Sequence, residues 1–444
     1  MWKKLFFWTL NALFFFSCNV RREDSDINLQ MKLISTLRAV SPDGNIQFFK
    51  LPESDDFKSI PQDSTNPITT EKVILGQQLF FDPAISFNPK CTAAAGTFSC
   101  ASCHFAGAGF SSGVHQAIAG GGRGFGLLRH KHPQCDSSEL DVQMVKTPSI
   151  VNCAFQEVML WSGKFGCCGP NFGTDSLWPK GSFTKLNRLG LSGVETQARI
   201  ALEAHGMRMS PALVTQTTYK QLFDTAYPKE RPDLRYLRFT MARAIGAYER
   251  TVMTNQAAFQ KWLKGDSSAL TNEQKKGAIL FFGKASCVDC HTGPALNSMA
   301  FYALGMPEME GIDIIHKKDS FADFHLGRGA LTHRLEDMFC FKVPQLYNLK
   351  DHGYYGHGAS FCSVEEVIRY KNDAVPANQN VPVENLAKNF KPLGLDKDEI
   401  KSLVDFVENG LYDPNLRRYE PESVASGRCF PNHDKLSREQ LGCK

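Results

Sequence analysis

The chain lacks a long apolar run and an excess of charge of either sign. Its amino-terminal apolar stretch, Leu5 to Phe16, is broken by Thr9 and Asn11 and falls short of the roughly 20 residues that a membrane-spanning helix needs. That excludes an integral multi-span membrane protein. The formal net charge is only +4 over 444 residues, too little for a long-range field that would gather nucleic acid or anionic lipid. Strand signals are weak throughout. What is present is an ordinary globular composition, 42% hydrophobic and 22% charged, enough to bury real cores and to fill two or three domains.

Lys3 and Lys4 before the apolar stretch, and Ser17 and Cys18 after it, read as an export signal. A cysteine directly behind the apolar core resembles a bacterial lipoprotein signal, with residues 1–18 as signal and Cys18 as the lipidated first residue. Residues 19–63, polar and acid-containing, then read as a tether to a membrane face. Cysteine usage agrees with an oxidising compartment. Of 14 cysteines, Cys18 and four in the motifs below leave nine, which cannot all pair. Cys91, Cys135, Cys153, Cys167, Cys168, Cys340, Cys362, Cys429 and Cys443 are open to disulfides whose connectivity spacing does not decide.

Two pentapeptides carry chemistry. Cys100-Ala-Ser-Cys103-His104 and Cys287-Val-Asp-Cys290-His291 both spell C-x-x-C-H, the attachment signal of c-type haem. Two thiols one turn apart add across the two vinyl groups of the porphyrin, and the adjacent imidazole reaches the iron. A zinc knuckle would want a second Cys/His pair close by, and a redox dithiol has no use for the histidine.

The surroundings of the motifs repeat. Gly76-Gln-Gln-Leu-Phe-Phe81 and Gly277-Ala-Ile-Leu-Phe-Phe282 precede them, Lys146-Thr-Pro-Ser-Ile-Val-Asn152 and Lys342-Val-Pro-Gln-Leu-Tyr-Asn348 follow, and Val194-Glu195 and Val364-Glu365 trail each. Four elements in one order, twice, predict a mainly α protein of two duplicated cytochrome c-like haem domains packed against each other. Thr271 with Gln274 forms a capping box before one helix, Thr70 opens its equivalent, and 237–252 keeps one apolar face. The Gly120–Gly126 stretch predicts a loop that no regular element tolerates. With a boundary at Gly265-Asp266, the haem domains span 64–265 and 266–414, and 415–444 is a tail.

From about Ile60 to Tyr412 the chain resembles the bacterial di-haem cytochrome c peroxidases, a family that includes relatives which oxidise protein tryptophans. The segments carrying the resemblance are Leu79-Phe-Phe-Asp-Pro83, both haem motifs, Thr147-Pro-Ser-Ile-Val-Asn152, Trp161-Ser-Gly163, Tyr248-Glu-Arg-Thr251, Gly293-Pro294 and Phe341-Lys-Val-Pro344. It implies two covalently bound haem c groups with His104 and His291 as proximal ligands. It further implies that electrons from a small cytochrome c or cupredoxin enter at the C-terminal haem and pass by way of Trp161 to the N-terminal haem, where hydrogen peroxide is reduced. The other reading of Trp161 is a core aromatic at the domain seam, and both can hold.

The chain departs from the family in several places. Glycines 120–122 stand near the place of a removable distal histidine, and His115, His130 and His132 do not align with it, so a five-coordinate first iron is expected. Gln197 matches a distal glutamine, but the family's acid is replaced by Met207 or Arg208, which passes proton handling to His205 or Glu203. At the distal ligand position of the second haem stand Tyr370-Lys371, with Met306, Met299 and His357 as alternatives. Lys146 stands where an asparagine ligand of an interdomain calcium is expected, which counts against calcium. The expectation is a periplasmic, lipid-anchored peroxidase with no nucleic-acid partner. Two alternatives stay open: a di-haem oxidase of a protein or organic substrate, and a non-catalytic di-haem electron carrier.

Overall fold

The structure is a computed structural model that describes residues 26–316 and 324–443. It is mainly helical, and the only strands among the described residues form two short antiparallel pairs, Gly122–Arg123 with His130–Lys131 and Phe301–Tyr302 with Phe341–Lys342. The expected export signal and Cys18 lie outside the described residues.

Helices form where the sequence pattern places them, and glycine sets how closely they cross. Thr69 caps the Thr70–Phe81 helix by accepting from the Lys72 N–H. Leu79, Phe80 and Phe81 are buried in a first core with the Gly193–Ala204 and Arg238–Thr251 helices. At Gly76 a methyl group would run into the Ala244 carbonyl, and at Gly277, the matching position of the Asn272–Phe282 helix, into the Ser402 carbonyl of the Lys397–Asp405 helix. Only glycine permits backbones to pass this closely. The reciprocal Thr271–Gln274 capping box is present, and Phe281 and Phe282 anchor a second core.

The described parts of the two end segments pack on the cores. In place of a tether, residues 26–40 are helical, and Leu33, Leu37, Phe49, Leu51 and Ile60 are buried in the second core. Five such side chains, each worth about 1.5–3 kcal/mol when buried, outweigh the polar composition of the stretch. The 415–444 tail crosses to the first core, where Leu416, Tyr419 and Val424 are buried. Beyond them Asn432 accepts from the Ser102 hydroxyl inside the first haem motif at 2.6 Å. Cys429 pairs with Cys443, and Cys91 with Cys135, which encloses that motif in a covalent loop. Cys153, Cys167, Cys168, Cys340 and Cys362 stay unpaired.

The Gly-rich stretch after the first motif departs from the expected loop, because Gly122 and Arg123 pair with Lys131 and His130. Arg129 explains the order. Its guanidinium donates to the Ile118, Ala119 and Gly124 carbonyls at 2.6, 2.5 and 3.0 Å, in space that a side chain at Gly122 would occupy.

Candidate haem-binding site

Each C-x-x-C-H segment folds into a single tight turn. The His104 N–H donates to the Cys100 carbonyl at 3.1 Å and that of His291 to Cys287 at 2.8 Å, which brings each imidazole back beside the first cysteine of its motif. The ring nitrogens are then set by backbone: Nδ1 of His104 lies 3.2 Å from the Phe110 carbonyl, and Nδ1 of His291 lies 3.2 and 3.0 Å from those of Leu296 and Pro344. A carbonyl acceptor at Nδ1 fixes the proton there and leaves the Nε2 lone pair for a metal. Burial pushes both imidazoles down to about 4, so they are neutral donors at any physiological pH.

His104 and His291 line one cavity of about 640 Å³, within the range that takes cofactor-sized molecules. Among the described residues no group of three His, Cys, Asp or Glu side chains could hold a metal ion by itself. Paired cysteines, a free Nε2 and apolar walls instead fit haem c, whose porphyrin brings its own equatorial ligands. The cavity also holds the countercharges that a haem's propionates require. Lys146 and Lys342, matching positions of the repeat, are both buried and both line it. The Lys146 ammonium donates to the Ser111 and Ser112 hydroxyls at 2.9 and 3.4 Å, and the Lys342 ammonium donates to the Gln156 amide oxygen. Burial lowers Lys146 to about 8 and Lys342 to about 7. An ammonium at Lys146 also repels a divalent cation. Neither lysine was singled out as a site residue in the sequence, although the K-x-P pattern occurring twice was the signal.

Trp161 lies between these two lysine segments. Its indole Nε1 donates to the Lys146 carbonyl at 2.8 Å, and its own carbonyl accepts from the Lys342 N–H at 2.7 Å. His357 closes the arrangement, its carbonyl accepting from the Lys146 N–H at 2.7 Å while its ring stacks on Phe341 at 3.6 Å.

Of the other expected site residues, the structure brings Gln197 to the cavity and leaves two outside its lining. Glu203 accepts from Arg199 at 2.8 Å along its own helix. His205 is hydrogen-bonded to Asp141; burial lowers its pKa, but the Asp141 charge and hydrogen bond outweigh that and hold it above its ordinary value. Met207 is a core residue, and Arg208 covers the Phe87 ring at 4.5 Å. The candidates near the second motif separate as well. Lys371, Met306 and His357 line the cavity, whereas Tyr370 and Met299 do not.

One buried acid went unnoticed in the sequence. Oε2 of Glu249 is buried without a hydrogen-bond partner; burial and the Glu195 charge raise its pKa to about 8, against the pull of Arg250. The folded protein therefore keeps a proton that the unfolded chain releases near its ordinary value of 4.5. Native protein binding more protons means that stability falls as pH rises across that window. Glu249→Gln is expected to match the parent near pH 4.5 and to become increasingly more stable than it up to about pH 8, as read from urea midpoints along a pH series. Parallel midpoints at every pH would refute this.

Residues 70–268 match the family model for di-haem cytochrome c peroxidase. The chain is 28% identical to cytochrome-c peroxidase IdrP1 of Denitromonas iodatirespirans over 81% of its own length and 86% of the relative's. It is likewise 28% identical to the methylamine utilization protein MauG of Methylorubrum extorquens, over 82% and 84%. With the cytochrome c551 peroxidase of Pseudomonas aeruginosa it shares 26% identity over 74% and 82%. The crystal structure of a MauG-like protein associated with microbial copper homeostasis has the same fold, with a TM-score of 0.59 at 22% identity over 82% of this chain and 95% of that one.

Proposed function

From the match of residues 70–268 to the di-haem cytochrome c peroxidase family model and the likeness to its members over most of the chain, we propose that the chain belongs to that family and is a periplasmic peroxidase built of two duplicated haem domains. Covalently bound haem c at the two motifs would supply the redox chemistry, electrons from a small cytochrome or cupredoxin entering at the C-terminal site and hydrogen peroxide being reduced to water at the N-terminal one. Lipid anchoring at Cys18 would hold the enzyme at a membrane face. No helix among the described residues is long and apolar enough to cross one.

The observation that carries this reading is the position of Trp161 in the cavity that His104 and His291 share. Its backbone and indole are hydrogen-bonded to both halves of the repeat, so its ring is held as a fixed bridge between the two sites. Gln197 reaches the same cavity and can orient peroxide by donating from its amide, but it cannot take a proton. Lys146 and Lys342 would neutralise the propionates of the bound haems. The pair formed by His205 and Asp141 lies behind the first site, where it can hold or pass a proton without touching the substrate.

The test is steady-state peroxide reduction with a reduced small donor protein. The parent is expected to turn over, and Trp161→Phe, which keeps most of the ring volume, is expected to fall by about tenfold or more, a barrier increase of about 1.4 kcal/mol, with both haems attached. Unchanged turnover would make Trp161 a packing residue. A second reading, oxidation of a protein or organic substrate, is favoured by Met207 and Arg208 where the family has an acid, the first a core residue and the second packed on Phe87. A parent inert to peroxide with every small donor would bring that reading forward.

A further inference from the structure

The Val364–Asp373 helix starts at Ser363, whose hydroxyl accepts from the Glu366 N–H at 3.1 Å. It sends two consecutive side chains in different directions. The Tyr370 hydroxyl donates to the Leu304 carbonyl at 2.6 Å and accepts from the Ala377 N–H at 3.4 Å, and its ring packs on Phe361 and Phe390. That phenol is committed to backbone and does not line the cavity. About 100° further round the helix, Lys371 enters the cavity that Cys287, Cys290 and His291 also line. Its Nζ lies 6.0 Å from the centre of the Phe390 ring. Met306 also reaches the cavity, but its sulfur sits 3.6 Å from where a Cβ on Gly356 would be, next to the His357 segment that adjoins Trp161.

We propose that Lys371 is the second axial ligand of the iron held by His291, its neutral ε-amino nitrogen completing a six-coordinate site. An amine that reaches an apolar, iron-bearing cavity has two outcomes. It stays an ammonium, which needs a buried countercharge, or it gives up its proton and donates its lone pair to the metal. Nitrogen from lysine in place of sulfur from methionine leaves the second haem at a lower potential, because a methionine ligand raises it. The same site would stay closed to peroxide, so reduction would be confined to the first haem.

This inference rests on the reading of Cys287–His291 as a haem attachment site, and the experiment separates the two. Holoprotein matured in a periplasm is first weighed under denaturing conditions to count haems. Its resting ferric electron paramagnetic resonance spectrum is then recorded for the parent and for Lys371→Arg, Lys371→Met and Met306→Leu. Arginine keeps the charge and length but has no lone pair to give. In the expected result, two haems are attached throughout and the low-spin signal of the second haem is present in the parent and in Met306→Leu. That signal is lost to a high-spin one in Lys371→Arg. In Lys371→Met it is replaced by a low-spin species with the charge-transfer band of a methionine-ligated haem and a higher midpoint potential. A parent-like low-spin signal in Lys371→Arg, or its loss in Met306→Leu, overturns the assignment of Lys371. A parent carrying a single haem overturns the attachment reading and the ligand assignment together.

Discussion

Replacing Cys287 and Cys290 by alanine is expected to leave a chain carrying one covalent haem instead of two, and the same exchange at Cys100 and Cys103 to remove the other. In each motif the two cysteines flank one tight turn, so their sulfurs emerge on the same side, as addition to two vinyl groups of one porphyrin requires. Without thiols, only coordinate bonds would remain to hold the group, and these do not survive under denaturing conditions. The variant is also expected to lose stability, since a cavity of about 640 Å³ shared by both sites would lose much of its content and leave its walls without contacts. Mass spectrometry of the denatured chain checks the count, and urea titration checks the stability. Two adducts persisting in either double variant would show that attachment does not use these cysteines.

Arg250→Met is expected to cost about 3–5 kcal/mol of stability. The guanidinium meets the Glu195 carboxylate through two bonds of 2.9 and 2.7 Å, with side-chain exposures of only 3% and 0%. Asn66 adds a contact to Glu195 at 3.3 Å, and Arg250 donates to the Pro61 carbonyl at 2.9 Å. Removing one charge strands the other in a medium that cannot hydrate it. Glu195 lies two residues before Gln197 on the Gly193–Ala204 helix, so the pair also anchors the segment that carries Gln197 to the cavity. Urea midpoints measure the first effect, and the Michaelis constant for peroxide is expected to rise with it. A loss below about 1 kcal/mol would mean that the pair is hydrated in solution as a surface ion pair is.

What could be read from the chain alone was whatever is settled within one or two helical turns. The C-x-x-C-H spacing dictates thiols and imidazole on one turn. The threonine caps start their helices at Thr70 and Asn272, and the recurrence of G-x-x-L-F-F and K-x-P marks the same tasks performed twice. These depend on local geometry, and local geometry is written in neighbouring residues.

Contacts between distant residues were decided only by the tertiary structure. Composition marked 19–63 and 415–444 as loose ends, yet apolar side chains within both find cores more than a hundred residues away, and burial overrides average polarity. His205 and Glu203 were the nearest titratable groups to a missing acid along the chain. In space His205 is bound to the distant Asp141, which only the fold brings near, while Glu203 is held by Arg199 one turn back on its own helix. Tyr370 and Lys371 are adjacent in sequence and equally plausible as ligands. One residue of helical rotation sends the phenol to a backbone carbonyl and the amine into the cavity, and which face of a helix looks inward is set by the elements packed against it rather than by the helix itself.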